Sequence, residues 1–205
     1  TPITKEMVYF SETFRSGIEF GATYMLFNNL KTALEKNKKK DIENAISSLK
    51  EAYADVHNKD YDHEVDRKVA KVLIPLYAKS VPADALPAFY QTIQTKFKGD
   101  YNAYIDALYN NSIFSNEKNF NAFISNPTVE AIDNDLAIQY SSSKNDMAQK
   151  LREKYSAVSG DIDLLHKTYV RGLCEMYAPT PKAPDANFTI RLTYGNVKSY
   201  DPKDG

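Results

Sequence analysis

Between Ala178 and Tyr194 the rhythm of this chain changes from that of a helix to that of a strand, and no other feature limits the fold as sharply. The run Pro179-Thr180-Pro181-Lys182-Ala183-Pro184 cannot continue a helix, because each proline removes a backbone donor and its ring clashes with the preceding turn. Beyond it, Phe188, Ile190, Leu192 and Tyr194 alternate with Thr189, Arg191 and Thr193, the period of a half-buried strand. A single strand can neither bury its apolar face nor pair its own edge. With the sequence ending at Gly205, the expectation is a piece of a longer protein whose β domain lies mostly elsewhere.

Composition narrows the class of partner. At 205 residues and 42% hydrophobic, the chain can bury a sizeable core. Lysines and arginines number 26 against 27 acids, so a formal charge of −1 supplies no attraction to nucleic acid or an anionic membrane. The lone Cys174 excludes an internal disulfide and any multi-cysteine metal site, and leaves the redox compartment open. No apolar run approaches the ~20 residues that span a bilayer, and Thr1-Pro2-Ile3-Thr4-Lys5 has no signal-peptide pattern.

Most of the chain reads as helix. Ile42, Ala45, Ile46, Leu49, Tyr53 and Val56 form one apolar stripe behind an expected cap at Asp41. A second stripe, Val65, Val69, Val72, Leu73, Leu76 and Tyr77, contains Pro75, which predicts a kink or break near Ile74. Met7 to Leu34, interrupted by Gly17 and Gly21, predicts one bent helix or two. Further helices are expected from Asp84, from Asp100 and from Pro127, and then over Met147 to Tyr155 and Ile162 to Tyr177. The last presents Ile162, Leu165, Tyr169, Leu173 and Met176 on one face. Neither the glycines nor the aromatic residues recur at a fixed offset, which argues for an irregular bundle of seven or eight helices over a solenoid.

Candidate chemistry is sparse. The segment His57-Asn58-Lys59-Asp60-Tyr61-Asp62-His63-Glu64-Val65-Asp66 carries two imidazoles and four carboxylates, yet it lacks the glycine of a calcium loop, and its acids suit a helix start. No metal site is therefore assigned. Lys36, Lys38, Lys39 and Lys40 read as a solvated helix end with no aromatic platform beside them. His166 and Cys174, eight residues apart on one helix, point about 80° apart and lie roughly 12 Å apart along the axis. A packed thiol is the expectation there. Tyr9, Tyr24, Tyr53, Tyr77, Tyr104 and Tyr169 fall mostly on apolar stripes and are expected in the core. Glycosylation patterns at Asn110 and Asn187 are discounted. No Gly-x-Ser-x-Gly, Gly-Asn-Ser-Gly, phosphate-binding glycine loop or His-Glu-x-x-His occurs, so no catalytic, cofactor-binding or metal residue is assigned, and substrate-contacting residues stay unassigned.

The block from Pro184 to Lys198, with Phe188-Thr189-Ile190-Arg191-Leu192-Thr193-Tyr194-Gly195-Asn196-Val197 at its centre and Tyr200-Asp201-Pro202-Lys203-Asp204-Gly205 after it, closely resembles bacterial dipeptidyl peptidases of serine peptidase family 46, the group of dipeptidyl-peptidases 7 and 11. Phe97-Lys98-Gly99, Ser112-Ile113-Phe114, Phe120 to Ile124 and Asn126-Pro127-Thr128-Val129 are similar to that family's helical region, so the resemblance runs from residue 60 to residue 205. It implies a chymotrypsin-like double β-barrel with a large helical insertion over the cleft and a serine nucleophile in a Gly-Asn-Ser-Gly-Ser type motif. It places the catalytic His and Asp before the helical region, the Ser after it, and the grip on the substrate's free N-terminus in the barrels.

On this reading residues 1–178 are a helical cap domain, and residues 179–205 are a Pro-rich linker with the first strand of the returning barrel. The function expected of the parent is removal of dipeptides from peptide N-termini by a serine hydrolase, with the cap gating the cleft and this fragment alone inactive. The expected partners are peptide substrates and the two barrel halves of the same chain. Nucleic acid and a membrane span are excluded, and a homodimer is compatible. The resemblance implies a periplasmic or secreted protein and no cofactor. The competing reading is a non-enzymatic helical interaction module whose terminal strand pairs with a partner's sheet edge.

Overall fold

The computed structural model describes residues 2–15, 18–19, 23–58, 60–178 and 194–199. Those residues form two compact parts, 1–159 and 160–205.

In the first part, α1 (Pro2–Arg15) and α2 (Tyr24–Glu35) are separate helices, which settles the choice that the two glycines left open. Asn37, at φ +50°, turns the chain into α3 (Lys39–Val56). The expected cap at Asp41 lies instead inside the first turn, because Lys39 and Lys40 already belong to the helix. There the acid offsets two cations at the positive end of the dipole. α2 and α3 pack as neighbours.

α4 (His63–Ser80) continues through Pro75, so no break occurs. The Tyr90 hydroxyl donates to the Ile74 carbonyl at 2.7 Å, occupying a backbone acceptor beside the proline. The buried face of α4 is Asp66, Ala70, Ile74 and Tyr77, whereas Val65, Val72 and Leu76 are 54%, 65% and 55% exposed. Of the apolar stripe expected to be core, Tyr77 is buried and Val69 and Leu73 are half-buried, while the other three residues face outward. The reason is tertiary: α1 and α6 (Tyr101–Asn111) pack on the other face. Arg67 and Lys71 fix that packing by meeting Asp106 of α6 at 2.8 and 2.6 Å.

The helix expected from Asp84 is only a 3-10 turn, Ala83–Ala85, because Pro82 and Pro87 bracket it and deny it donors. α5 (Phe89–Lys96) follows, ending in consecutive left-handed residues, Lys98 at φ +54° and Gly99 at φ +81°. The Gly99 N–H reaches the Ile93 carbonyl at 3.0 Å. Asp100 then caps α6 as expected, accepting from the Ala103 N–H at 2.9 Å. α7 (Glu117–Ser125) was not marked by periodicity; its cap is Asn116. α8 (Val129–Asn134) starts two residues after Pro127 because Thr128 supplies the capping oxygen.

The two helices expected after Met147 are one, α9 (Leu136–Met176). Gly160 lies inside it with nothing within 4 Å of where a Cβ would stand. A single helical glycine costs only ~1 kcal/mol and need not end a helix.

The core of the first part is aromatic. Phe14 meets Tyr77 at 4.9 Å between ring centroids, and Phe89 meets Tyr140 at 4.9 Å and Tyr104 at 5.9 Å. A second cluster joins Phe27, Tyr53, Phe114 and Phe120. Tyr77 and Tyr104 are buried, and Tyr24 and Tyr53 pack against the core, but Tyr9 and Tyr169 are exposed, contrary to expectation.

In the second part, Leu165, Tyr169 and Met176 of α9 are exposed, so the expected apolar face is present without being buried. Of the expected strand, residues 188–193 lie outside the described residues; residues 194–199 have no regular secondary structure, and Tyr194 and Val197 are exposed.

Candidate functional site

The polar segment before α4 is dispersed by folding. Asp62 caps α4, accepting from the N–H groups of Glu64 and Val65, each at 3.0 Å. The His57 ring stacks on Tyr53 at 4.1 Å, with Nδ1 3.2 Å from the Tyr53 carbonyl oxygen, and burial lowers its pKa. His63 lies edge-on to Tyr109. The two imidazoles thus serve as packing aromatics, and among the described residues no three His, Cys, Asp or Glu groups are placed to share an ion.

Asp66 alone of that segment points inward. Its carboxylate accepts the backbone N–H groups of Ile18 and Glu19, both at 3.1 Å, and the Tyr61 hydroxyl at 3.4 Å, and the Tyr109 hydroxyl is close enough to interact with it electrostatically. Burial raises the Asp66 pKa against the pull of those donors. Both carboxylate oxygens accept from donors already in the fold, so the group ties the start of α4 to the chain after α1.

Asp135 is a second buried anchor that the sequence reading missed. One carboxylate oxygen accepts from Ala137 and Ile138 at 2.9 and 3.0 Å, capping α9; the other accepts from Ile113 at 2.6 Å. Burial raises its pKa too. The signal was present: an Asp directly before the apolar run Leu136-Ala137-Ile138 is an N-cap pattern.

A cleft of about 390 Å³ opens between α2, α5, α8 and α9. Tyr24, Asn28, Lys31, Thr92, Asp133 and Gln139 are among its lining residues. Lys31 is paired with Asp133, a hydrogen bond that raises the lysine's pKa, and Gln139 donates to the Asp133 carbonyl at 2.7 Å. Ser143, also in the lining, donates to the Tyr140 carbonyl at 3.0 Å. No histidine or cysteine lines the cleft, and its one lysine, Lys31, is engaged with Asp133. What it can do is bind, offering amide, hydroxyl and paired charges to a polar chain.

The remaining sequence candidates do not converge. Lys36 is the C-cap of α2, as expected of a helix end, but Lys39 and Lys40 open α3, so the run is split across a turn. Cys174 is exposed on α9; the expected packed thiol is corrected, since the face that would cover it is itself uncovered. His166 is exposed on the same helix.

The model of the Peptidase S46 family matches residues 1–205. Over 204 residues the chain is 62% identical to dipeptidyl-peptidase 7 of Phocaeicola vulgatus, covering 100% of this chain and 28% of that protein. Over 188 residues it is 36% identical to the Asp/Glu-specific dipeptidyl-peptidase of Porphyromonas gingivalis, covering 92% and 26%. Crystal structures of Porphyromonas endodontalis DPP11 share the fold: the complex with the dipeptide Arg-Glu superposes with a TM-score of 0.67 at 21% identity, over 92% of this chain and 29% of that one. This chain therefore spans between a quarter and a third of the length of the relatives it matches.

Proposed function

The chain belongs to the Peptidase S46 family, and from that premise we propose that it is the helical cap of a serine dipeptidyl peptidase, covering and gating the cleft from which dipeptides leave. One observation carries the reading. A chain 62% identical throughout to a dipeptidyl-peptidase folds, in its described residues, into helices whose buried carboxylates anchor turns and whose cleft between α2, α5, α8 and α9 has no histidine or cysteine in its lining. The serine, histidine and aspartate of the triad then belong to a chymotrypsin-like barrel elsewhere in the parent, with residues 179–205 leading into it, and the 205-residue chain alone is inactive. The parent is periplasmic or secreted.

The division is physically coherent. Acyl transfer needs a nucleophile, base and oxyanion donors on a rigid scaffold. Cutting after two residues needs in addition a wall that stops deeper entry of the chain and a lid that excludes water. A helical bundle packed on aromatic residues can supply both.

The test uses the full-length protein with residues 1–178 present or replaced by a short linker. Release of dipeptides from fluorogenic substrates is measured, and a serine-directed phosphonate titrates the sites that remain intact. Longer products or slower dipeptide release at an unchanged phosphonate titre is the expected result. Unchanged rate and product length would remove the gating role, and dipeptide release untouched by the phosphonate would remove the serine mechanism.

A further inference from the structure

A second groove, of about 290 Å³, runs between α1 and residues 144–152 of α9 and has a different character from the polar cleft. Its floor includes Phe10, Phe14 and Leu151, of which Phe14 and Leu151 are buried. Around that floor stand Arg15, Lys144 and Arg152, and no aspartate or glutamate lines it. Helical spacing explains the grouping. Phe10 and Phe14 are i, i+4 on α1, while Lys144, Leu151 and Arg152 at i, i+7 and i+8 share one face of α9.

The three cations lack a carboxylate partner among the described residues, none having one within 4.0 Å, although nearby Lys154 has both Glu6 and Asp84. Arg152 uses its Nε on the Ala148 carbonyl at 3.3 Å, leaving the outer face of its guanidinium open. Lys144 lies 5.8 Å from the Tyr140 ring centroid, and burial holds its pKa below the ordinary lysine value. A desolvated ammonium beside apolar side chains with no counter-ion is costly unless an anion joins it.

We infer that this groove binds an acidic peptide segment presented by another polypeptide, in which one or two carboxylates sit beside an apolar side chain. The apolar side chain packs on Phe10, Phe14 and Leu151, and the carboxylates meet Lys144 and the two guanidiniums, which suit bidentate carboxylate recognition. The volume lies at the lower end of the ~300–1,000 Å³ of pockets for drug-sized ligands, enough for one or two side chains of an extended segment. Charge complementarity selects the occupant, because a neutral apolar segment would leave Lys144 buried and unpaired.

The experiment is fluorescence anisotropy with a labelled Glu-Leu-Asp-Phe peptide and its Gln-Leu-Asn-Phe counterpart, titrated with the 205-residue chain and with Lys144→Ala and Arg152→Ala. Circular dichroism verifies that each variant is folded, and Lys144→Arg provides a charge-preserving control. The acidic peptide is expected to bind with an affinity that falls with salt and drops about tenfold in Lys144→Ala while surviving in Lys144→Arg. Equal binding of the neutral peptide, or no binding of the acidic one up to about 1 mM, would overturn the inference. So would protein-concentration-dependent self-association that is lost in Arg152→Ala, which would make a second copy the occupant. The readout involves no hydrolysis, so it stands or falls separately from the cap assignment.

Discussion

Ile18 donates its backbone N–H to the carboxylate of Asp66 at 3.1 Å across 48 residues of sequence, while held at φ +58°. A β-branched residue in the left-handed region costs roughly 1–2 kcal/mol. Here it is held from two sides, because the Ile18 side chain is 2% exposed and the next N–H, of Glu19, meets the same carboxylate. Replacing Asp66 with Ala strands two amides as acceptors vanish, at an expected cost of about 3 kcal/mol. Asp62→Ala, which removes only an exposed helix cap, should cost about 1 kcal/mol. Urea unfolding of both variants ranks them, and a larger loss for Asp62→Ala would discard the anchor.

The pH dependence of stability should reveal Asp135. Burial raises its folded pKa above the unfolded value, so the native state holds this proton to higher pH. The stability it contributes is full below the ordinary carboxylate range and is lost as pH climbs through the raised folded pKa. Asp135→Asn should lessen that downward slope, with Asp66, raised for the same reason, supplying what remains. Asp106 has the opposite sign: its hydrogen bond to Lys71 lowers its pKa, so its contribution is lost only as pH falls through that lower value. At neutral pH, Asp135→Asn should itself cost about 2 kcal/mol, because an amide NH₂ replaces the oxygen that accepts from Ile113. Thermal melts across pH measure both effects, and an unchanged slope in the variant would refute the assignment.

Packing on the two sides of the bundle should separate cleanly. Leu108 is completely buried, so Leu108→Ala should cost about 3 kcal/mol. Val72 is 65% exposed, and Val72→Ala should stay within about 0.5 kcal/mol in this chain. Comparable losses in chemical denaturation would mean that α4 presents its other face to the core.

The turn between α5 and α6 depends on Gly99. At φ +81° a side chain is strained, and a Cβ there would stand 3.2 Å from Oε1 of Gln94. Since Gln94 can swing away, backbone strain dominates, and Gly99→Ala should cost about 1 kcal/mol. An unchanged melting temperature would show that the turn tolerates a Cβ.

Local chemistry in the sequence determined much of this architecture. Asp100 after Gly99 could only end one helix and cap the next, and the stripe from Ile42 to Val56 required a helix with one apolar side. The terminal block likewise resembled a family that the whole chain proved to share. Tertiary structure decided which surfaces were buried. Val65, Val72 and Leu76 have the spacing of a core stripe, but periodicity reports a direction around the helix axis and not what packs there. Asp66 read as one more acid at a helix start, and only the tertiary structure brought two amides to it, from 48 and 47 residues away. The groove of Lys144 arises in the same way, from short helical repeats on α1 and α9 that are unremarkable alone and gain meaning only when long-range packing sets them side by side.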